Sequence, residues 1–173
     1  MTQIHLVPLA NAPDLRRLEV LAVALSRTFR TACRIRIADI DISPTLDPSR
    51  RQYHSTAILQ RLAGTFEPGC RILGVTDYDL FVPVLTFVFG EAQVDGVCAV
   101  VSTARLREER YGMPPREDLL RERLLKEAAH ELGHTFGLRH CPDWRCVMAS
   151  SHAVERIDVK GAQFCDQCRR AIG

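Results

Sequence analysis

The length, composition and charge of the chain exclude several classes of protein. Its 173 residues suffice for one domain with a buried core and are too few for two full-sized domains. Hydrophobic residues make up 46% of the chain and charged residues 25%, which excludes a disordered or collagen-like protein. A formal net charge of +2 indicates no polyanionic partner, so we expect no binding to nucleic acid.

The first residues and the cysteines bear on the cellular compartment. The N-terminus lacks the basic region and the long apolar core of a secretory signal. No stretch approaches the roughly 18 apolar residues that a membrane helix needs. We therefore expect a cytoplasmic, monomeric protein without a membrane partner. In a reducing compartment, clustered cysteines among the seven present bind metal more often than they form disulfides.

The first part of the chain predicts a β-α order. Residues 4–9 have the pattern of a strand, and residues 15–29, which follow Pro13, have apolar side chains at helical spacing. Residues 33–42 alternate between polar and apolar, as a strand with one buried face does. A second amphipathic helix is predicted over residues 51–66.

Three further strands and a long helix are predicted after residue 70. The strands cover residues 71–81, 82–92 and 96–103, and the turn-like sequence QVDG indicates that the last two are antiparallel neighbours. Residues 116–138 form the longest helical pattern, with leucines facing a core. Leu138 ends this helix close to a cluster of histidines.

The run HELGHTFGLRH indicates a metal site. His130 and His134 are one helical turn apart, so both imidazoles project from one face at a spacing that suits a single tetrahedral metal. Gly137 follows where a helix can end in a left-handed conformation. The chain reversal there would bring His140 to the same metal and leave a fourth position open for water.

Glu131 directly follows the first of these ligands and is the candidate general base. Zinc lowers the pKa of a bound water from about 15.7 towards 7, and a neighbouring carboxylate can accept the proton as that water attacks a carbonyl group. Glu131 would then pass the proton to the leaving amine. A bare HExxH also occurs by chance. Here the predicted helix, the glycine and the third histidine coincide, which favours the metal site.

The chain also has three histidines outside this run and a group of four cysteines near its C-terminus. His5, His54 and His152 are interpreted as solvated or packed side chains, with His152 a candidate near the site. Four cysteines in two closely spaced pairs are typical of a closed structural zinc site: Cys141, Cys146, Cys165 and Cys168. The alternatives are a redox CxxC at 165–168 or simple buried thiols. No thioredoxin-like pattern precedes this CxxC, and metal binding would supply folding energy to a segment with few large apolar residues.

The string HELGHTFGLRHCPDWRCVM, followed by CDQC, resembles the archaemetzincins, a metzincin-related family of zinc-dependent proteins. The resemblance implies a catalytic zinc on His130, His134 and His140, and a structural zinc on the four cysteines. It implies that Met148 is the methionine of the Met-turn, which lies beneath the catalytic metal.

The fold implied by this resemblance is α+β and zincin/metzincin-like. It would have a twisted, mixed five-stranded sheet with backing and active-site helices. We expect a single domain with an N-terminal subdomain at 1–138 and a small zinc-stabilised C-terminal subdomain at 139–173. The strand with the sequence TFVFGEA would be the edge that pairs with an extended peptide substrate.

The leading functional hypothesis is a zinc metallopeptidase acting on peptides or proteins. The alternative is a zinc-bearing peptide-binding or regulatory protein with little or no proteolytic activity, because a complete motif says nothing about substrate access. A nucleic-acid-binding zinc module, suggested by the cysteines with Arg169 and Arg170, leaves the histidines unexplained. Endopeptidase and aminopeptidase action stay open, since Glu91 or Asp95 as an anchor for a substrate N-terminus has no sequence support.

Overall fold

A computed structural model describes residues 2–65 and 69–173 of the chain. Within these residues the strands are β1 (Gln3–Pro8), β2 (Cys33–Ile35), β3 (Leu46–Asp47), β4 (Gln52–His54), β5 (Cys70–Thr76), β6 (Leu80–Phe81), β7 (Gly90–Ala92) and β8 (Cys98–Ser102). The α-helices are α1 (Leu15–Phe29), α2 (Ser55–Ala63), α3 (Glu117–Thr135), α4 (Val154–Val159) and α5 (Asp166–Ile172). Short 3-10 turns cover Ser43–Thr45 and Glu108–Tyr111.

The main sheet has five strands in the order β2-β1-β5-β8-β7. The first four are mutually parallel, and β7 is the antiparallel edge strand. A smaller sheet has the order β3-β4-β6. These strands and helices confirm the predicted α+β fold with a mixed five-stranded sheet.

Helices cover both faces of the main sheet. Along β1, Ile4 and Leu6 pack on the side of α1 and α3, whereas Val7 packs on the side of α2. The same alternation along β8 places Val101 in the first layer and Val100 in the second. The central strands are therefore apolar on both faces, as parallel strands between two helical layers must be.

Several predicted boundaries are wrong for identifiable reasons. The helix predicted from residue 51 begins at Ser55, because Arg51 has a φ of 55° and the next three residues form β4. The predicted end of that helix at residue 66 lies outside the described residues. The strand predicted over 33–42 ends at Ile35, and only three of residues 82–92 form a strand, after an exposed segment that contains Pro83.

Two other predictions are confirmed at the edge of the sheet and in the long helix. Strand β7 is antiparallel to β8, with Gly90 opposite Val101, and the turn between them includes Asp95 at a φ of 54°. Helix α3 spans most of the predicted segment, and its C-terminal half is buried between the sheet and the chain that follows it. In the described part of the chain, no helix is both long enough and apolar enough to cross a membrane.

Candidate metal centre and active site

The end of helix α3 is a tight reversal built on Gly137. This residue has a φ of 85°, which glycine adopts without steric cost. The N–H of Leu138 donates to the carbonyl of Gly133 at 3.1 Å, and the N–H of Gly137 donates to that of His134 at 2.9 Å. This pair of bonds is a Schellman motif. The reversal predicted at Gly137 is thus present, and it carries the chain back toward the histidines.

The three histidines of the motif lie together beyond this reversal. One candidate ligand atom from each of His130, His134 and His140 lies within 4.8 Å of the others. The Nε2 atoms of His130 and His134 are 3.1 Å apart. The predicted trio is therefore brought to one point by the helix and the turn that follows it.

Backbone carbonyls orient two of the imidazoles. The Nδ1 atom of His130 donates to the carbonyl of Val147 at 2.9 Å, and that of His134 donates to Leu138 at 2.7 Å. A carbonyl oxygen can only accept, so each Nδ1 holds the proton of a neutral ring and each Nε2 presents a lone pair. Two lone pairs that face each other cannot form a hydrogen bond. They suit a shared cation, and a carbonyl behind each ring is the usual support of a metal-ligating histidine.

Burial favours the neutral form of these rings. Loss of hydration lowers the pKa of His130 well below its ordinary value, and the charges of Lys160 and His134 add to the effect. Burial also lowers the pKa of His134, and of the more exposed His140. A neutral imidazole is the form that binds metal, so the donor set fits a metal ion such as zinc.

The carboxylate of Glu131 is buried against the edge strand. A Cβ atom added to Gly90 would stand 2.7 Å from Cγ of Glu131 and 2.6 Å from the carbonyl oxygen of Val100. Glycine is therefore the residue that lets β7 approach this part of α3. Burial raises the pKa of Glu131 well above its ordinary value, and Glu127 adds to this, while Lys160 opposes it.

A cavity of about 360 Å³ opens beside the histidines. One wall is the segment 85–90, which leads into β7, and another is formed by residues 150–152. His130, Glu131 and His140 line the cavity between these walls, together with Glu127. His152, interpreted from the sequence as solvated or packed and also as a candidate near the site, lines this cavity and contributes to the lowered pKa of His140.

Met148 lies beneath α3, where the resemblance places the methionine of a Met-turn. Its side chain is fully buried, and Sδ occupies the space that a Cβ atom on Gly133 would need. The carbonyl of Met148 accepts a hydrogen bond from the N–H of Cys141 at 2.9 Å. The segment after His140 is thereby tied to the turn under the histidines.

The four C-terminal cysteines also converge. Their sulfur atoms lie within 4.8 Å of one another, and Sγ of Cys141 is 3.8 Å from Sγ of Cys165. Four thiolates around zinc at about 2.3 Å stand about 3.8 Å apart, whereas a disulfide needs about 2.05 Å. Cys165 N–H donates to Sγ of Cys146 at 3.3 Å. The backbone N–H of Cys168 lowers the pKa of the Cys165 thiol to about 7, which favours its thiolate, whereas burial raises the pKa of the thiols of Cys141 and Cys168.

Four residues at the site have no recognisable signal in the sequence. Glu127 lies one turn before His130, and Lys160, which is 33 residues further along the chain than Glu127, pairs with it at 2.8 Å. Gly90 and Ser151 line the cavity. The spacing of Glu127 from His130 places both on one helix face, which is the one feature that could have drawn attention to it.

These features define a zinc-peptidase site of the metzincin type: a helix with HExxH beneath a mixed sheet, a third histidine after a glycine turn, and a buried methionine under these histidines. The sequence profile described as Peptidase family M54 matches residues 49–173. The chain therefore belongs to that family, and the resemblance seen in its motifs is confirmed.

Relatives and solved structures agree with this assignment. The archaemetzincin of Thermococcus kodakarensis is 37% identical over 179 residues, which cover 99% of this chain and 96% of that protein. The crystal structure of archaemetzincin from Archaeoglobus fulgidus, complexed with malonate, superposes with a TM-score of 0.82 at 36% identity, covering 98% of this chain and 99% of the other. A zinc-dependent peptidase from Methanocorpusculum labreanum gives a TM-score of 0.87 at 29% identity, covering 98% of this chain and 100% of that one.

Proposed function

We propose that this member of family M54 is a zinc metallopeptidase whose catalytic zinc is held by His130, His134 and His140. The observation that carries the proposal is the 3.1 Å distance between Nε2 of His130 and Nε2 of His134. A carbonyl behind each ring fixes its orientation, so the two nitrogen lone pairs face each other. One of the similar structures is described as a zinc-dependent peptidase, which supports the same metal and reaction here.

Glu131 is the proposed general base. Zinc at the histidines would supply a Lewis acid that polarises a water molecule and the substrate carbonyl. The carboxylate of Glu131 lines the same cavity and is positioned to accept a proton from that water. It then delivers the proton to the nitrogen of the leaving amine, so it finishes the cycle ionised. Gly90 keeps the edge strand close to this carboxylate, which limits its movement.

An extended substrate is proposed to lie along the edge strand β7. This strand pairs with β8 on one side only, and the segment before it forms a wall of the cavity. Backbone groups at such an edge can pair with a peptide, as in β-augmentation. The sequence TFVFGEA was predicted to serve as this edge, and its last three residues are β7 itself.

The four-cysteine cluster is proposed to hold a second, structural zinc. Its closed geometry leaves no position for a substrate, and it joins both ends of the segment after α3. This supports the division of the single domain into a subdomain at 1–138 and a metal-stabilised subdomain at 139–173. The chain would then bind two zinc ions, one catalytic and one structural.

Metal content and peptide cleavage, measured together, test this proposal. Purified protein should contain two zinc atoms per chain by elemental analysis and should cleave a peptide library, and chelation should stop cleavage. Glu131→Ala should keep both zinc atoms and lose turnover. Glu117→Ala, an exposed position on the same helix, is the matched control and should keep both properties. Cleavage that survives Glu131→Ala would contradict the role of this residue. Full zinc content without cleavage of any peptide would favour the alternative of a peptide-binding or regulatory protein.

We also propose that the chain acts as a monomer in the cytoplasm without a nucleic-acid partner. The seven cysteines without disulfides and the small net charge support this. Light scattering on a size-exclusion column would test the oligomeric state. A mobility-shift assay with DNA and RNA at low salt should show no complex, and a salt-dependent shift would contradict the proposal.

A further inference from the structure

A carboxylate forms part of the wall of the active-site cavity and has no role in the proposed hydrolysis. Glu127 lies one helical turn before His130, lines the same cavity and is 3% exposed. Buried carboxylates are rare unless they are paired, so we expect Glu127 to have a partner.

The partner of Glu127 approaches from behind the cavity. Lys160, whose side chain is 1% exposed, places Nζ 2.8 Å from Oε1 of Glu127 and donates to the carbonyl of Ala149 at 3.3 Å. Lys160 does not itself line the cavity. An ammonium group at this distance forms an ion pair with a carboxylate. The contact lacks the angle of a hydrogen bond, so Oε1 accepts no hydrogen bond from the described residues. The carboxylate, with about four acceptor positions, keeps capacity for a further donor.

A second polar group of the cavity also makes no hydrogen bond within the described residues. The hydroxyl oxygen of Ser151 is buried and makes no hydrogen bond within the described part of the chain. Ser151 lines the cavity on the wall that follows the Met-turn. Buried polar atoms nearly always have a partner in a working protein, so two such groups in one cavity indicate that a polar ligand group completes them.

The rest of the cavity limits which ligand group this is. The wall at residues 85–90 is largely apolar and aromatic, and includes Leu85, Phe87 and Phe89. Among the described lining residues there is no lysine or arginine. A side chain with an aliphatic stem and a cationic tip would pack its stem on the apolar wall and donate from its tip to the acceptors of Glu127 and Ser151.

We infer that Glu127 and Ser151 form a substrate subsite that takes a basic side chain, lysine or arginine, of a residue flanking the scissile bond. This rests on the proposed function, since the cavity is a substrate cleft only if the histidines hold the catalytic metal. Lys160, which contacts Oε1 of Glu127 at 2.8 Å and donates to the carbonyl of Ala149, acts as a positioning residue that orients the Glu127 carboxylate.

The test uses two peptide hydroxamates that differ in one side chain, lysine or norleucine. The hydroxamate group binds zinc, and the two side chains share the aliphatic stem while only lysine carries the ammonium. Affinities are measured by calorimetry on the zinc-loaded protein, so no turnover is needed. We expect the lysine compound to bind at least tenfold more tightly to the unmodified protein. Glu127→Gln should abolish this preference, and Ser151→Ala should reduce it.

Glu127→Gln leaves Lys160 without its counter-ion, which could unfold the protein. The double variant Glu127→Gln/Lys160→Met removes both charges and should likewise lose the preference for lysine. Glu117→Gln, exposed on the same helix, is the matched control and should keep it.

The outcomes separate this inference from the proposed function. Equal binding of the two hydroxamates to the unmodified protein overturns the inference alone, as does a lysine preference that survives in the double variant. Failure of both compounds to bind zinc-loaded protein overturns the proposed function, and the inference with it.

Discussion

Met148 packs so closely beneath Gly133 that its sulfur fills the space that a side chain at position 133 would need. Gly133 lies between the two histidines of α3, and Met148 begins the turn under them. The methionine therefore supports the helix at the level of the two histidines proposed as metal ligands. Any side chain at position 133 would push the turn away from the helix and disturb the hydrogen bond from His130 to Val147.

Gly133→Ala should destabilise the protein through this contact. Overpacking in a buried position costs about 1–3 kcal/mol, of which replacing glycine within a helix recovers up to about 1 kcal/mol. The free energy of unfolding in urea measures the net loss. Met148→Val shortens the opposing side chain, so Gly133→Ala should cost less in that background. An equal cost in both backgrounds would show that the contact with Met148 is not the cause.

Gly90→Ala should reduce activity without removing metal. The added methyl group would meet both Glu131 and the carbonyl of Val100 in the neighbouring strand, and the backbone of a paired strand cannot yield easily. A shift of about 1 Å in a catalytic group can lower the rate about a hundredfold. We expect a loss of that order in kcat/KM with both zinc atoms retained. Gly64→Ala is the control, because no atom lies within 4 Å of its added Cβ, and it should leave kcat/KM unchanged. Full activity of Gly90→Ala would contradict the proposed packing.

These contacts mark the limit of what the sequence could predict. The histidine site was predicted because the spacing of its residues along the chain translates directly into positions on a helix and a turn. The cysteine site was predicted because two closely spaced pairs of cysteines are typical of a structural zinc site. Gly90 and Glu131 are 41 positions apart in the sequence, and their contact depends on the edge strand lying against α3. The pairing of Glu127 with Lys160 likewise exists only after the C-terminal segment folds back. Local patterns predict elements and motifs, and long-range packing decides which side chains meet.

The predicted boundaries of the strand over residues 82–92 were wrong for a related reason. Residues 82–89 are rich in β-forming side chains, but most of them line the cavity or face solvent instead of pairing in the main sheet. Val84 is 88% exposed. Strand propensity reports how well a side chain fits a half-buried sheet, and it does not show whether a neighbouring strand is available.

Cys165→Ser should remove one zinc atom and leave the other. Loss of one thiolate opens the closed cluster, and the folding energy that the metal supplies to residues 139–173 is lost with it. Elemental analysis should fall from two zinc atoms to one, and limited proteolysis should cut within residues 139–173. Cleavage of peptide should also weaken, because the N–H of Cys141 is bound to Met148 beneath the histidines. Cys33→Ser, in strand β2 away from the cluster, should keep both zinc atoms. Retention of two zinc atoms by Cys165→Ser would argue against the structural site.

A buried ion pair holds α4 against α3. Arg123 donates from Nε and from one guanidinium nitrogen to both oxygens of Asp158, each at 2.7 Å, and also pairs with Glu108 at 2.6 Å. Helix α4 lies between the turn at Met148 and Lys160. The contact between Arg123 and Asp158 therefore also fixes the residues between Met148 and Lys160, some of which line the cavity. The Arg123 side chain is only 4% exposed, whereas that of Asp158 is 33% exposed, so the charge of this pair that is shielded from water is the guanidinium.

Asp158→Asn should therefore lower the free energy of unfolding by about 1–3 kcal/mol, the cost of leaving a buried charged donor partly unpaired. The chain offers a close control in Arg116 and Asp118, which form the same two-bond pair on the surface. Water replaces an exposed partner readily, so Asp118→Asn should leave the urea midpoint almost unchanged. Equal midpoints for the two variants would mean that burial adds nothing to the Arg123 pair. A lower midpoint for Asp158→Asn alone would show that this pair stabilises the support beneath the active site.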